Sequence, residues 1–323
     1  MNEFGLIQRF FAEAAALRTT AQADAAVALG IGDDCALITP PHGQQLAIST
    51  DTLVAGRHFP LNTDAYSIGW KAVAVNLSDL AAMGATPHSI LLALSLPSAD
   101  EDFLREFSRG LFAICDQYGV QLIGGDTTRS TVLSISITVL GWLPIGQAIT
   151  RGGAQAGDLI MVTGTLGDAA YALRHPHSPL QHRLDRPLPR VAFGQALRGY
   201  ASAMLDISDG LAQDLGHIAR ASGLDACVNV ECLPLHSILQ RLPCAGAQCL
   251  ALTYALAGGD DYELCFTMPE QSVAAVIAEA DRQQVQVTVI GQMLPRQSVQ
   301  TQVQLRLHQQ PFVLQQTGFQ HFD

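Results

Sequence analysis

Lysine is all but missing from this chain: Lys71 is the only one among 18 basic residues, so nearly every fixed positive charge is an arginine. A P-loop needs a GxxxxGK frame followed by Ser or Thr, and SIGWKAV around Lys71 offers no such glycines. A protein-kinase arrangement is excluded as well, because no HRD or DFG triplet occurs. GIGDDCA breaks the G-x-G-x-x-G spacing of a dinucleotide site, and no D-x-D-x-D-G calcium loop is present. No apolar run approaches the ~18 residues of a membrane span. The opening MNEFGLIQRFFAEAAAL lacks the basic head and cleavage site of a secretory leader, so the expectation is a soluble, cytoplasmic protein with no membrane partner.

CxxC pairs are also absent. The seven cysteines are odd in number, and the C-x4-C spacings of Cys227/Cys232 and Cys244/Cys249 match no zinc pattern, which predicts free thiols in a reducing compartment. His175, His177 and His182 in HPHSPLQH fall in a Pro/Arg-rich segment and read as a surface loop rather than a metal site. A net charge of −11 disfavours nucleic acid, which is bound chiefly through Lys and Arg. A polyphosphate ligand would meet mostly carboxylates unless divalent cations stood between them.

What is present is a globular composition, 48% hydrophobic and 15% charged, over 323 residues, enough for two domains. Helical spacing of Phe4, Ile7, Phe10, Phe11 and Ala14 predicts an amphipathic helix over 3–17. A strand at 46–50, a helix over 66–82 stopped by Gly84 and Pro87, a strand at 89–96, a helix over 100–118 and strands at 120–125 and 134–142 follow. TRGGAQAGD (150–158), glycine-rich and aperiodic, is the best boundary. Beyond it, DLIMVTG, a helix near 188–198, AMLDISDG, a helix over 209–220, YELCFT and VTVIGQM form a second series. The expectation is two mixed α/β domains, 1–150 and 151–323.

One theme recurs: Gly-Asp at a strand end, in GIGDD, IGGDTT and AGGDDYE, with Asp-x-Ser-Asp-Gly in DISDG. Singly, each Asp is a turn or cap residue. As a set, Asp33/Asp34, Asp51, Asp79, Asp126, Asp206/Asp209 and Asp260/Asp261 supply the hard oxygen donors that suit magnesium shared with phosphates. Asn76 and Asp79, three apart on a helix, share one face. With the P-loop excluded, phosphates would rest on magnesium, on backbone amides near Gly124 and Gly125, and on arginine, for which Arg151 is the choice.

These same stretches resemble a known family. IGDDCA, AISTDTLVAGRHF, KAVAVNLSDLAAMGATP, QLIGGDTTR, ITRGGAQAGD, DISDGLAQDLGHI, GGDDYELCF and the closing GFQHF are similar to the bacterial thiamine-monophosphate kinases, whose superfamily includes aminoimidazole ribonucleotide synthetase, selenophosphate synthetase and a hydrogenase maturation factor. The resemblance implies ATP-dependent, Mg²⁺-dependent phosphorylation of thiamine monophosphate, the last step to thiamine diphosphate, with several Mg²⁺ ions. It implies metal ligation by Asp34, Ser49, Thr50, Asp51, Asp79, Asp126, Asp206 and Asp209, and ATP contacts from Gly125, Asp126, Arg151 and Ser208. Substrate contacts fall to His58, Asp260 and Phe319. The implied fold is a two-domain, mixed α/β aminoimidazole ribonucleotide synthetase-like one, its N-terminal domain dimerising through a β-barrel and its C-terminal α/β domain completing the ATP and substrate site. Two departures stand out: GGDDYEL replaces the family's GGEDYEL, leaving Asp260 one methylene short, and Phe319 keeps a ring without a polar handle.

The acceptor so implied is itself a phosphate, ionised near pH 7, and no general base is expected. The alternatives are another enzyme of the superfamily, or an ATP–Mg²⁺-binding regulator without turnover. Against the first, Cys35 follows the acidic motif instead of preceding it, and the chain ends GFQHFD without a terminal cysteine.

Overall fold

The computed structural model describes residues 3–21, 26–33, 35–244, 249–299, 303–314 and 318. The chain divides into two units, 1–80 with 85–146, and 81–84 with 147–323.

The first unit begins with α1 (Glu3–Ile7) and α2 (Glu13–Ala21), joined by a π-helical turn, Gln8–Ala12. The expected single regular helix is thus interrupted. The wider turn lets two sequence neighbours, Phe10 and Phe11, both face inward, and Phe11 meets Phe107 edge to face at 6.4 Å. A short ribbon of β1 (Val27–Leu29) and β2 (Leu37–Ile38) carries the GIGDD loop between its strands. Then come β3 (Gln44–Val54), α3 (Ala65–Ala82), β4 (Thr86–Leu96), α4 (Glu101–Tyr118), β5 (Gln121–Arg129) and β6 (Ser134–Pro144), each strand longer than its sequence signal. The sheet order is β3-β6-β4-β5. Only β4 and β5 are parallel, because α4 makes the crossover between them.

Asp100 caps α4 by accepting from the amides of Asp102 and Phe103, and left-handed Gly119 ends it. Leu104, Phe107, Leu111 and Ile114 form its buried stripe. Helices α3 and α4 touch backbone to backbone: a Cβ on Gly69 would lie 2.1 Å from the Phe107 carbonyl oxygen, and one on Gly110 1.9 Å from that of Tyr66. That contact fixes α3, which carries Asn76 and Asp79, against α4.

The second unit runs β7 (Leu159–Thr163), α5 (Asp168–Arg174), α6 (Gln181–Asp185), α7 (Val191–Ala196), β8 (Ala203–Asp206), α8 (Leu211–Ser222), β9 (Asp225–Asn229), α9 (Ser237–Gln240), α10 (Leu250–Ala257), β10 (Leu264–Met268), α11 (Val273–Gln283), β11 (Val287–Leu294), β12 (Val303–Leu307) and β13 (Gln310–Pro311). Its sheet order is β13-β12-β9-β11-β7-β10-β8, antiparallel except between β12 and β9. Every residue of β10 and β8 is buried, Thr267 and Asp206 included, so neither strand shows the alternation of a half-buried one. Helix α8 starts at Leu211, so Asp209 and Gly210 stand before it rather than inside it. HPHSPLQH is only partly loop, since His182 lies on α6. The free-thiol expectation fails at one pair: Cys244 and Cys249 are disulfide-bonded, their Cα atoms 4.1 Å apart.

Candidate functional site

Along β3 the pleat separates two sets of side chains. Leu46, Ile48, Thr50 and Thr52 point to one face, whereas Ala47, Ser49 and Asp51 point to the other. Ser49 Oγ donates to Asp79 Oδ2 at 2.5 Å, and Asn76 Oδ1 accepts the Asp51 amide at 3.1 Å. Asn76 is buried and its own Nδ2 donates to the Ala72 carbonyl, so it is fixed from both ends. Ser49, Asp51 and Asp79 therefore form one oxygen-rich face between β3 and the end of α3. Thr50 is turned away: its hydroxyl pairs with that of Thr138 at 2.8 Å on the opposite side.

The chain leaves β3 through a tight turn in which the Val54 amide donates to His58 Nδ1 at 2.9 Å. An accepting Nδ1 puts the neutral ring's proton on Nε2. Lys71, the lone lysine, lies buried on α3, and its Nζ is 3.4 Å from the His58 carbonyl oxygen.

The GGD turn lies on β5. Gly125 has φ +149° and faces Leu92 of β4, where a Cβ would sit 1.9 Å from the Leu92 carbonyl oxygen. Only glycine fits, and Asp126 beside it is exposed. Gly125 and Asp126 line a cavity of about 450 Å³ with Gly32, Asp33 and Cys35, so the structure brings the GIGDD and GGD motifs to one hollow, walled on its apolar side by residues such as Phe11. Asp34 lies outside the described residues, as does Phe319.

In the second unit, DISDG and GGDDYE are bound to each other. The amides of Asp260 and Tyr262 donate to the carbonyls of Ser208 and Ile207, each at 2.8 Å. Asp206 is buried at the end of β8, Ser208 is exposed and Asp209 is half-buried with Gln213 Nε2 at 2.9 Å. Asp214, unremarked in the sequence, organises the loop: its Oδ2 accepts from the amides of Ser208, Asp209 and Gly210, each at 3.0 Å. Burial, then the Asp209 charge, pushes its carboxyl up to about 7 against the pull of those amides. Arg151 is exposed. It acts on His217, whose pKa is lowered by burial first and then by Arg151 and Arg220, while Asp209 opposes them. Arg151 and Asp209 thus lie within electrostatic reach of one imidazole.

Sequence reasoning missed a buried ion cluster behind Asp260. Glu263 accepts from Arg183 Nη2 at 2.7 Å, Arg190 Nε at 2.7 Å, Arg190 Nη2 at 2.6 Å and Thr163 Oγ1 at 2.6 Å. Burial would raise its pKa, but Arg190 and Arg183 outweigh it and hold the carboxyl below its ordinary range. Asp261 is fully buried and both its oxygens lie 3.0 Å from the Gly167 amide. The only local signal for the cluster was the doubled Asp and the Glu of GGDDYE.

The donors on both units are oxygens of Asp, Ser and Asn, a set that fits magnesium. Among the described residues no three His, Cys, Asp or Glu side chains converge into a self-contained metal centre.

Residues 32–143 match the AIR synthase related protein N-terminal domain, and residues 155–304 match the C-terminal domain of the same family. A thiamine-monophosphate kinase of Salmonella typhimurium is 48% identical over 307 residues, spanning 90% of each chain. The crystal structure of the thiamine-monophosphate kinase from Stenotrophomonas maltophilia superposes with a TM-score of 0.84 at 43% identity, over 94% of this chain and 96% of that one. A structure of AaThiL complexed with AMPPCP and TMP superposes with a TM-score of 0.73 at 29% identity, over 95% of each chain.

Proposed function

This chain belongs to the thiamine-monophosphate kinase family of AIR synthase related proteins, and from that premise we propose that it transfers the γ-phosphoryl group of ATP to thiamine monophosphate, giving thiamine diphosphate and ADP. The observation that carries the reading is the face shared by Ser49, Asp79 and Asp51, locked by the 2.5 Å Ser49–Asp79 bond and by Asn76. An acidic chain that brings two phosphate groups together needs its carboxylates grouped, oriented and close to a phosphate hollow, and this face meets the first two needs.

Asp34, Ser49, Thr50, Asp51, Asp79, Asp126, Asp206 and Asp209 are the residues that would hold magnesium. Its chemistry there is to neutralise the charge on the phosphates. Because the Thr50 hydroxyl points to the other face, its contribution would be a main-chain oxygen. Gly125 lets β5 lie tight against Leu92 and so sets the backbone that would meet a phosphate, and Asp126, Arg151 and Ser208 complete the ATP contacts. His58, with its proton on Nε2, donates toward the anionic substrate; Asp260 and Phe319 are its other contacts. The acceptor phosphate, with a second pKa near ~6, is already a nucleophile, so the protein positions it and deprotonates nothing.

Dimerisation through the first unit is part of the same reading. It is supported by β3, an 11-residue edge strand whose outward face shows Leu46 at 42% and Ile48 at 60% exposure. No helix among the described residues is long and apolar enough to cross a membrane.

A coupled assay of ADP release from ATP and Mg²⁺ tests the function. Release is expected with thiamine monophosphate and not with thiamine, aminoimidazole precursors or selenide. Turnover with one of the latter alone, or ATP binding without turnover, would overturn it.

A further inference from the structure

The turn from α10 into β10 is conformationally costly. Gly259, Asp260 and Tyr262 have φ of 67°, 64° and 50°, so two non-glycine residues occupy the left-handed region within three positions. Such a turn persists only if its surroundings over-determine it. Two backbone hydrogen bonds, donated to the carbonyls of Ile207 and Ser208, hold it from one side. On the other, Asp261 grips the Gly167 amide and Glu263 takes four hydrogen bonds from Arg183, Arg190 and Thr163. Arg183 Nε also lies 3.4 Å from Asp168 Oδ2, which accepts from Thr165 Oγ1 at 2.5 Å. The cluster reaches three segments distant in sequence and closes around the turn.

Three carboxylates and two guanidiniums are a poor way to stabilise a core. Well-packed apolar side chains of the same volume would do as well or better, whereas breaking one partner of a buried pair is severe. What ion pairs and fixed hydrogen bonds add is a single geometry. Here that geometry sends Asp261 and Glu263 inward and leaves the intervening backbone, with half-buried Asp260, against the DISDG loop.

We propose that Asp261, Glu263, Arg183 and Arg190 are positioning residues: a buried lock of ion pairs and hydrogen bonds that keeps the 259–262 turn left-handed and so aims Asp260 at thiamine monophosphate, without touching the substrate. The aim toward that substrate rests on the function proposed above; the holding of the turn does not.

Two readouts separate these clauses. Asp261→Ala removes the acceptor for Gly167, whereas Asp261→Asn retains one. Amide hydrogen exchange over 258–263 is expected to rise roughly tenfold in Asp261→Ala and stay within about twofold in Asp261→Asn, with α11 unchanged in both. KM for thiamine monophosphate is expected to rise roughly tenfold in Asp261→Ala while KM for ATP stays within about twofold, and Asp261→Asn should restore both. If Asp261→Ala does not fold, Arg190→Lys, which keeps the charge and drops the two-pronged bond, should raise exchange over 258–263 by about threefold. Unchanged exchange over 258–263 overturns the lock. Raised exchange with both KM values rising together overturns the aiming of Asp260. Wild-type protein that does not use thiamine monophosphate removes the substrate reading, and the exchange comparison still decides the lock.

Discussion

Gly125→Ala offers a sharp test of the phosphate hollow. The new Cβ would meet three backbone atoms of Leu92: its carbonyl oxygen at 1.9 Å, its carbonyl carbon at 2.7 Å and its nitrogen at 2.9 Å. None of these can rotate away, and φ of +149° is itself unfavourable for alanine. To move from 1.9 Å to an ordinary contact of about 3.4 Å, β5 must retreat from β4 by roughly 1.5 Å, which loosens the parallel ladder at its Gly125–Leu92 rung and carries Asp126 with it. Overpacking of this kind costs roughly 1–3 kcal/mol of stability, so the first unit is weakened without being unfolded. The functional loss is larger: a displacement of ~1 Å in a positioning element costs on the order of a hundredfold, equal to about 2.7 kcal/mol of transition-state stabilisation. Gly124→Ala is the control, because its Cβ meets only the rotatable Leu91 Cδ2, at 3.0 Å. Steady-state ADP release should show kcat/KM for ATP down about a hundredfold in Gly125→Ala and within roughly threefold of wild type in Gly124→Ala. Thermal unfolding would verify that both proteins are folded. Equal kinetics for the two variants, in either direction, would refute the argument from β5.

Asp79→Asn keeps an acceptor for Ser49 Oγ but removes the charge; turnover should fall by roughly a hundred- to a thousandfold, the magnesium needed for half-maximal rate should rise, and Tm should stay within a few degrees. Unaltered magnesium titration would count against Asp79 as a ligand. His58→Ala should raise KM for thiamine monophosphate by roughly tenfold and KM for ATP little, and the reverse ordering would reassign it. Asp261 predicts a pH signature. Its carboxyl is raised well above 3.8, first by burial and further by the Asp168 and Glu263 charges, while the Gly167 amide and Arg183 oppose. The folded state then holds a proton that the unfolded chain gives up, so the stability this group contributes is full below about pH 4 and is lost as pH rises toward the folded pKa. Urea unfolding of wild type and Asp261→Asn should therefore show wild type losing ground to the variant as pH rises above about 4; the opposite trend refutes a protonated Asp261.

The residues read from sequence and those found only in the structure differ in kind. Strand and helix periodicity was visible wherever one face of one element decides burial, as in α4 with Leu104, Phe107, Leu111 and Ile114. The Gly-Asp turns were visible because a strained backbone must be written locally, in the glycine that no other residue can replace, as at Gly125. The π-turn at Gln8–Ala12 was not, since a regular helix explains the same apolar spacing until Phe10 and Phe11 must both be buried. Arg183 and Arg190 illustrate the deeper limit. Their segment reads as a polar surface, and their partner Glu263 is 80 and 73 residues away, so nothing within either stretch announces that the charges are to be buried. A group that meets a ligand sits at a strand end or loop and carries its own local signature. A group that holds that loop in place acquires meaning only from a distant partner. The ion cluster behind Asp260 is of the second kind: its members can be changed one at a time without touching any signature motif except GGDDYE, yet each change would reach Asp260 through the turn they share.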